Sequence, residues 1–297
     1  MNAICLDSEF IAHAHELLEL SVFSEDGREQ YHSLFKPRRV KHWSSAVHGI
    51  TPQDVADAPR FRYHKERVQR IIDSASHIIG FAIANDIAEL RESGIKRLAG
   101  KTLIEVRDLY WLCRGRRCGF TLFNGPGLGF CAQDMGIEFT EGNRHTASGD
   151  TGATLELYNR LMEIFVSENP EAETLDTAGR WQLASEQIER GRSEYFRECA
   201  HGFIMLMPTE QKGVFHLKAA ASLSADAKEP AVATIEVADR YTAEYELHAL
   251  FRNYSVKHGA FKYRLKPSMI EKFRRYSNDF DEERSAFYKK MLRTRRH

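Results

Sequence analysis

The stretch Ile4-Cys5-Leu6-Asp7-Ser8-Glu9-Phe10-Ile11 places two acids, Asp7 and Glu9, inside an apolar run near the start of the chain. The run predicts a β-strand, in which alternate side chains share a face, so both carboxylates are expected side by side next to a hydrophobic core. Such a pair repels and loses hydration, and a divalent cation relieves both effects. The pair therefore indicates a metal site, and acids that cap a strand end in water are the alternative.

The next residues predict an α/β domain with strands at residues 17–23 and 30–35, a helix at 63–74 and another apolar strand at 76–83. Asp86 comes where the last of these strands gives way to a short helix. This is a common position for site residues in open α/β sheets. Taken alone, Asp86 is also explained as an ordinary helix N-cap.

A further acid, Asp150, lies near the start of a helix predicted at about residues 148–165. The predicted inward stripe of this helix is Ala153, Leu157, Leu161 and Ile164 or Phe165. The spacing of Asp150 places it on that stripe, where an acid needs a cation or hydrogen-bond donors. The alternative is a first-turn acid that faces the helix dipole. His145 lies on the loop that enters this helix, where a histidine either reaches a metal cluster or is simply solvated.

Together the motifs resemble the DEDDh, or DnaQ-like, family of 3′–5′ exonucleases. The shared features are an Asp-x-Glu strand, an aspartate after a later strand and a His-x4-Asp pattern that enters a helix. Other segments are similar to the family as well, namely His48-Gly49-Ile50-Thr51 and residues 55–61 and 78–90. The match covers residues 1–165 and implies an α/β fold of the ribonuclease-H-like kind, a mixed sheet flanked by helices.

The resemblance implies a metal-dependent enzyme that removes nucleoside 5′-monophosphates from the free 3′ end of single-stranded DNA or RNA. The implied ligands of two Mg²⁺ or Mn²⁺ ions are hard oxygen donors: Asp7, Glu9, Asp86 and Asp150. His145 is implied as the base that takes the proton from the attacking water, a role that suits its mid-range pKa.

Two aromatic residues depart from the family's pattern and are candidates for substrate contact. Phe81 stands where many relatives carry a histidine, and Phe10 stands where many carry a threonine. A basic cluster among aromatic side chains is a further candidate, because such a mixture suits single strands: Arg114, Arg116 and Arg117. Smaller basic groups lie at residues 38–41 and 289–296, and each cluster is more often a solvated face.

Composition predicts an ordinary soluble protein of two domains, with 42% hydrophobic and 28% charged residues among 297 and a formal net charge of +0. Neither a membrane-spanning run nor a signal peptide is recognisable, so we expect no membrane partner. The five cysteines form no CxxC pair, which favours reduced thiols in a cytoplasmic protein.

The predicted domains are an exonuclease domain at residues 1–166, a linker and helix at 167–200, and a small α/β domain at 201–297 that ends in a basic helix. Strands are expected there at residues 203–207, 214–218, 232–237 and 261–265. Residues 202–273 weakly resemble a GIY-YIG nuclease domain. No arginine occurs at residues 219–228, where that family carries its catalytic arginine. We therefore expect a binding domain, or an unrelated α/β domain, and no second nuclease activity.

Two alternatives to the enzyme remain open. One is a catalytically silent nucleic-acid-binding protein built on the same fold, and the other is a scaffold in a repair or polymerase assembly. The complete set of acids argues against a silent descendant. The sequence does not decide between DNA and RNA, or between a monomer and a homodimer.

Overall fold

The computed structural model describes residues 2–11, 14–38, 40, 43, 45–115, 125–139, 146–223, 230–257 and 261–295, without the side chains of 46, 47 and 293–295. The chain forms two compact units, Met1–Ile188 and Glu189–His297. The division falls inside the long helix α7 (Thr177–Ala200), whose first half packs into the core of the first unit through Trp181, Ala184 and Ile188. The predicted domain limits at residues 166 and 201 stay predictions.

The first unit alternates strands and helices. In chain order its other elements are β1 (Ala3–Ile11), β2 (Glu16–Ser24), β3 (Glu29–Leu34), α1 (Ser45–His48), α2 (Lys65–Ser74), β4 (His77–Gly80), α3 (Ala84–Glu92), β5 (Thr102–Glu105), α4 (Val106–Tyr110), α5 (Leu128–Asp134) and α6 (Ala147–Glu168). The predicted strands and helices are confirmed, although the strand expected at 76–83 ends at Gly80. The sequence did not predict β5 or α4.

The five strands form one mixed sheet in the order β3-β2-β1-β4-β5. β1 runs antiparallel to β2 and parallel to β4, and β5 is parallel to β4. This arrangement confirms the predicted mixed sheet flanked by helices. It places β1, the strand with the two acids, at the centre of the sheet.

Side chains of β1 alternate between two hydrophobic clusters. Ala3 and Cys5 pack in the cluster that contains the inner face of α6. Ile4 and Leu6 pack in the cluster that contains residues of α2 and α3. Since alternate residues of a strand share a face, Asp7 and Glu9 continue the first series, which faces α6.

Helix α6 covers this face of the sheet through the stripe that the sequence predicted. Ala153, Leu157, Leu161 and Phe165 are all buried, and α6 contacts β1, β2 and β4. The stripe fixes the rotation of the helix about its axis. The first turn, which carries Asp150, is thereby set over the same face as Asp7 and Glu9.

The second unit has an antiparallel sheet in the order β8-β6-β7-β9. Its elements are β6 (Gly202–Pro208), β7 (Val214–Ala220), β8 (Ala233–Val237), α8 (Arg240–Phe251), β9 (Lys262–Arg264), α9 (Pro267–Arg274) and α10 (Glu282–Arg295). The strands predicted in this region are confirmed, and the GIY-YIG resemblance stays a prediction. Glu244 and His248 are buried on α8, and His248 Nδ1 lies 2.5 Å from the Tyr263 hydroxyl.

None of the described helices combines the length and the apolar character that crossing a bilayer requires.

Candidate active site

Three of the four predicted acids meet at one point. Carboxylate oxygens of Asp7, Glu9 and Asp150 lie within 4.8 Å of one another, and all three residues are half-buried. Two of these oxygens come from one face of β1 and the third from the first turn of α6. The acids therefore converge although 141 residues separate Glu9 from Asp150 in the sequence.

The start of α6 is held by two hydrogen bonds to backbone amides. The hydroxyl of Thr146, the N-cap residue, accepts from the Gly149 amide at 3.1 Å. The Ala147 amide donates to Glu19 Oε2, also at 3.1 Å. These bonds satisfy amides that a helix leaves unpaired at its first turn. They also fix the turn from which Asp150 projects.

Asp86 is anchored to the residue between the two acids of β1. The Ser8 amide and the Ser8 hydroxyl both donate to Asp86 Oδ1, at 2.9 and 2.6 Å. Asp86 is buried in the first turn of α3, whose N-cap residue is Ile83. The N-cap alternative for Asp86 is therefore not what the structure has, and Asp86 lies beside the trio without being one of its three members.

The turn that delivers Asp86 is itself braced by a carboxylate. Ala82 adopts a φ of 54°, which is unusual for a residue with a side chain. The amides of Ala82 and Ile83 donate to the two oxygens of Glu105 at 2.8 and 3.1 Å. Glu105 thereby stabilises a backbone conformation that would otherwise be strained.

Burial and mutual repulsion raise the pKa values of the acids. The pKa of Asp7 lies well above its usual value because the side chain is desolvated and the Asp86, Glu9 and Asp150 charges surround it. Desolvation, followed by the charges of Asp150 and Glu19, raises the pKa of Glu9 to about 8. Desolvation also raises the pKa of Asp86 to about 7. The folded protein therefore favours a cation, or protons, at this point.

Glu19 is a further acid at the site, and its role was not predicted from the sequence. It lies directly opposite Glu9 across the β1–β2 pair, and it is buried. Besides the Ala147 amide, it contacts His32, whose Nε2 lies 2.7 Å from Glu19 Oε1. The signal in the sequence was an acid between leucines in a predicted strand. Its partner in α6 could not be inferred from local pattern.

The remaining predicted residues are dispersed or lie outside the described residues. His145, Arg116 and Arg117 fall in the undescribed segments. Arg114 donates from Nε and Nη2 to the carboxylate of Asp134 at 3.2 and 3.3 Å, so its charge is already paired within the protein. Its contact with nucleic acid stays a prediction.

Phe10 and Phe81 are both half-buried, but they belong to different apolar layers. Phe10 packs against the cluster of α2 and α3, whereas Phe81 packs against the cluster that contains α6. The register of the β1–β2 pairing shifts between Glu9 and Phe10. Substrate contact by either ring stays a prediction.

The His-Gly-Ile-Thr segment forms a structural turn in the first unit. His48 is buried and accepts from the Ile50 amide at Nδ1, at 3.2 Å. Gly49 has a φ of 68°, which a glycine adopts without strain. The Thr51 amide and hydroxyl both donate to Asp54 at 2.7 Å.

A protein-family model described as Exonuclease (RNase_T) matches residues 4–158, just over half of the chain. The chain belongs to this exonuclease family. The match confirms the predicted resemblance to the DEDD exonucleases over nearly the predicted span, and with it the ribonuclease-H-like fold of the first unit. No curated protein sequence gave a significant match to this chain.

Several solved structures are similar to this chain at low identity. Exonuclease X, in complex with 5′-overhanging duplex DNA, is 16% identical over 54% of this chain and 91% of its own, with a TM-score of 0.41. The catalytic unit of Neurospora crassa Pan2 is 16% identical over 59% of this chain and 30% of its own, with a TM-score of 0.44. A 3′-exonuclease with 3′-end-specific recognition of the histone mRNA stem-loop is 14% identical over 54% of this chain and 63% of its own, with a TM-score of 0.42.

The chemistry of the three acids fits a divalent cation. Carboxylate oxygens are hard donors, and their spacing within 4.8 Å allows them to share an ion. The raised pKa values of Asp7 and Glu9 indicate that the protein holds negative charges together at an electrostatic cost. A cation at this point removes that cost.

The first prediction concerns stability in the presence of a chelator. The pKa of Glu9 rises from 4.5 to about 8 on folding, so the folded state binds more protons than the unfolded state. The contribution of Glu9 is full below about pH 4.5 and is lost as the pH rises through about 8. In EDTA, the melting temperature of the wild type relative to Glu9→Gln should therefore fall from roughly pH 5 to pH 8.

The difference from Glu9→Gln is the informative quantity because the pKa values of His48 and His77 are lowered by burial and act with the opposite sign. Added Mn²⁺ should raise the melting temperature of the wild type more than that of the variant, as expected of a ligand that binds only the folded state. A difference that does not change with pH would contradict the electrostatic account of the site.

The second prediction concerns Glu19 as a positioning residue. Glu19→Ala removes the acceptor of the Ala147 amide, so the Asp150 turn loses one of its two anchors and affinity for Mn²⁺ should fall about 10–100-fold. Glu19→Gln retains the acceptor and should recover most of the affinity. Titration calorimetry measures both values. Glu29→Gln, exposed on β3, is the control, and equal losses in the Ala and Gln variants would show that the charge of Glu19, rather than its hydrogen bond, matters.

Proposed function

We propose that the first unit is a metal-dependent 3′–5′ exonuclease. Its substrate would be single-stranded DNA or RNA with a free 3′ end, and its products nucleoside 5′-monophosphates. The observation that carries the proposal is the meeting of the Asp7, Glu9 and Asp150 carboxylates within 4.8 Å, in a chain that belongs to an exonuclease family.

Asp7, Glu9, Asp86 and Asp150 would hold two Mg²⁺ or Mn²⁺ ions. Bound ions of this kind supply Lewis-acid activation of the attacking water and stabilise charge on the leaving 3′ oxygen. Asp7 suits a shared position because it is the most deeply surrounded by the other acids. His145 would accept the proton of the attacking water, and Ser8 would keep Asp86 in place through its two hydrogen bonds.

We further propose a reducing compartment, such as the cytoplasm. None of the four described cysteines is in a disulfide, and Cys5, Cys113 and Cys131 are buried among apolar side chains. Such thiols are typical of proteins that fold without disulfides. A homodimer stays a proposal, which light scattering would test.

The third prediction tests the acids. Asp7→Ala and Asp150→Ala should each lower the rate of hydrolysis ~100-fold or more, because each removes a carboxylate from the cluster. The variants should fold, since each also removes a repelled charge. The wild type, given a 5′-labelled oligonucleotide and Mg²⁺ or Mn²⁺, should produce a ladder that shortens from the 3′ end. Comparing the rates on DNA and RNA oligonucleotides of the same sequence shows which of the two is the preferred substrate. Asp279→Ala, at an exposed position of the second unit, is the matched control.

Each other outcome of this assay has a definite meaning. An oligonucleotide that the wild type binds and leaves intact supports the silent binding protein. A label at the 3′ end that is released last instead of first reverses the direction. Undiminished hydrolysis by Asp7→Ala rules out the proposed site.

The fourth prediction separates His145 from the acids. His145→Ala should slow the hydrolytic step about 10²–10⁴-fold, the usual range for a general base. Its affinity for Mn²⁺ should stay close to that of the wild type, unlike that of Asp7→Ala. Single-turnover rates and calorimetry make the comparison, and parallel losses of rate and metal affinity would assign His145 to the metal ligands instead.

A further inference from the structure

A hollow of about 340 Å³ lies in the first unit at the end of the β1–β2 pair. We call it the basic hollow because five cationic side chains line it, against two carboxylates: Lys36, Arg38, Arg60, Arg62 and Lys65. Arg38 belongs to a basic group that the sequence already indicated. In a chain of formal net charge +0, this local excess of positive charge attracts anions.

Few of these cations are neutralised inside the protein. Arg38 Nε lies 4.0 Å from Glu16, a weak and exposed pair. Lys36 donates to the Ala56 carbonyl at 2.5 Å, which leaves its charge uncompensated. Within the part of the chain that the structure describes, neither Arg60 nor Lys65 has a carboxylate within 4.0 Å. Guanidinium and ammonium groups so placed favour the oxygens of a phosphate.

The hollow and the acids share the same strand pair. Glu9 lies opposite Glu19, and two residues further along β1 Ile11 lies opposite Glu16, which lines the hollow. That step is about 7 Å along the strand. Helix α3 makes a second link, since it carries Asp86 in its first turn and ends with Glu92 at the wall of the hollow.

An aromatic side chain lies between the acids and the hollow in the sequence of β1 and packs beside a second aromatic residue at the hollow. Phe10 follows Glu9 on β1 and packs on the same apolar cluster as Phe61, which lines the hollow. Both rings are half-buried, and the Phe61 ring lines the hollow together with the cations. Aromatic side chains interspersed with cations are what single-stranded nucleic acids bind.

We propose that the basic hollow binds a backbone phosphate of the nucleic-acid strand, separate from the phosphate that is hydrolysed at the acids. The phosphate would belong to the part of the strand that remains after cleavage. This inference rests on the proposed function for its meaning, but strand binding in a chelator tests it without hydrolysis.

The fifth prediction uses the double variant Arg60→Gln/Lys65→Gln, whose side chains form no ion pair among the described residues. Its dissociation constant for a single-stranded oligonucleotide in EDTA should rise about tenfold, and the salt dependence of binding should weaken. Arg70→Gln/Lys96→Gln is the matched control. It removes the same charge from exposed residues of the same unit that do not line the hollow, and its affinity should stay near that of the wild type.

A small substrate separates the hollow from the active site. The p-nitrophenyl ester of thymidine 5′-monophosphate has one phosphodiester and nothing to place in the hollow. The hollow variant should therefore turn it over at the wild-type kcat and KM, while KM for the oligonucleotide rises. If the wild type hydrolyses neither substrate with Mg²⁺ or Mn²⁺, the proposed function is wrong. The dissociation constants in EDTA, measured by fluorescence anisotropy of a labelled oligonucleotide, still test whether the hollow binds the strand.

Two results would overturn the proposal. One is an equal change of strand affinity in the hollow and control variants, which would assign binding to general charge. The other is binding of inorganic phosphate or a free mononucleotide that the hollow variant loses while its affinity for the oligonucleotide is unchanged. That result would make the hollow a site for a free anion.

Discussion

The alternation of side chains along β1 is the constraint on which the first unit depends. Ala3 and Cys5 build the layer under α6, and the same face then carries Asp7 and Glu9. Ser8, on the other face, binds Asp86. A slip of one residue in the pairing of β1 would exchange the two faces and remove the acids from α6. Pairing with both β2 and β4 at the centre of the sheet prevents such a slip.

The crowded carboxylates repel one another, and the surrounding hydrogen bonds hold them together despite this repulsion. Glu19 and Glu105 are themselves acids, yet each accepts from backbone amides and thereby fixes the turn that presents another acid. The carboxylates of Glu19 and Glu105 thus help to position those of Asp150 and Asp86. Such an arrangement lowers the stability of the protein alone and favours a cation, as is common where a binding site conflicts with local stability.

Charge is divided between two neighbouring regions at one end of the β1–β2 pair. The acids of β1 and α6 form a negative centre, and the basic hollow lies about two residues further along the strands. A formal net charge of +0 conceals this separation, because a total does not describe the field near a surface. Under the proposed function, a phosphodiester chain, which carries negative charge at every nucleotide, would meet metal ions at the acids and protein cations in the basic hollow.

The sequence by itself determined the elements that local period encodes. The apolar run around Asp7 predicted β1, and the stripe from Ala153 to Phe165 predicted the inner face of α6, because strands and helices repeat side-chain direction at fixed intervals. The ordered motifs also placed the chain in its family. Only the tertiary structure decided which distant residues touch. Glu19 meets the Ala147 amide across 128 residues, and Ser8 meets Asp86 across 78. Arg114 meets the carboxylate of Asp134, a partner that its local sequence did not indicate. Periodicity tells which face a side chain occupies, whereas its partner depends on how the layers pack.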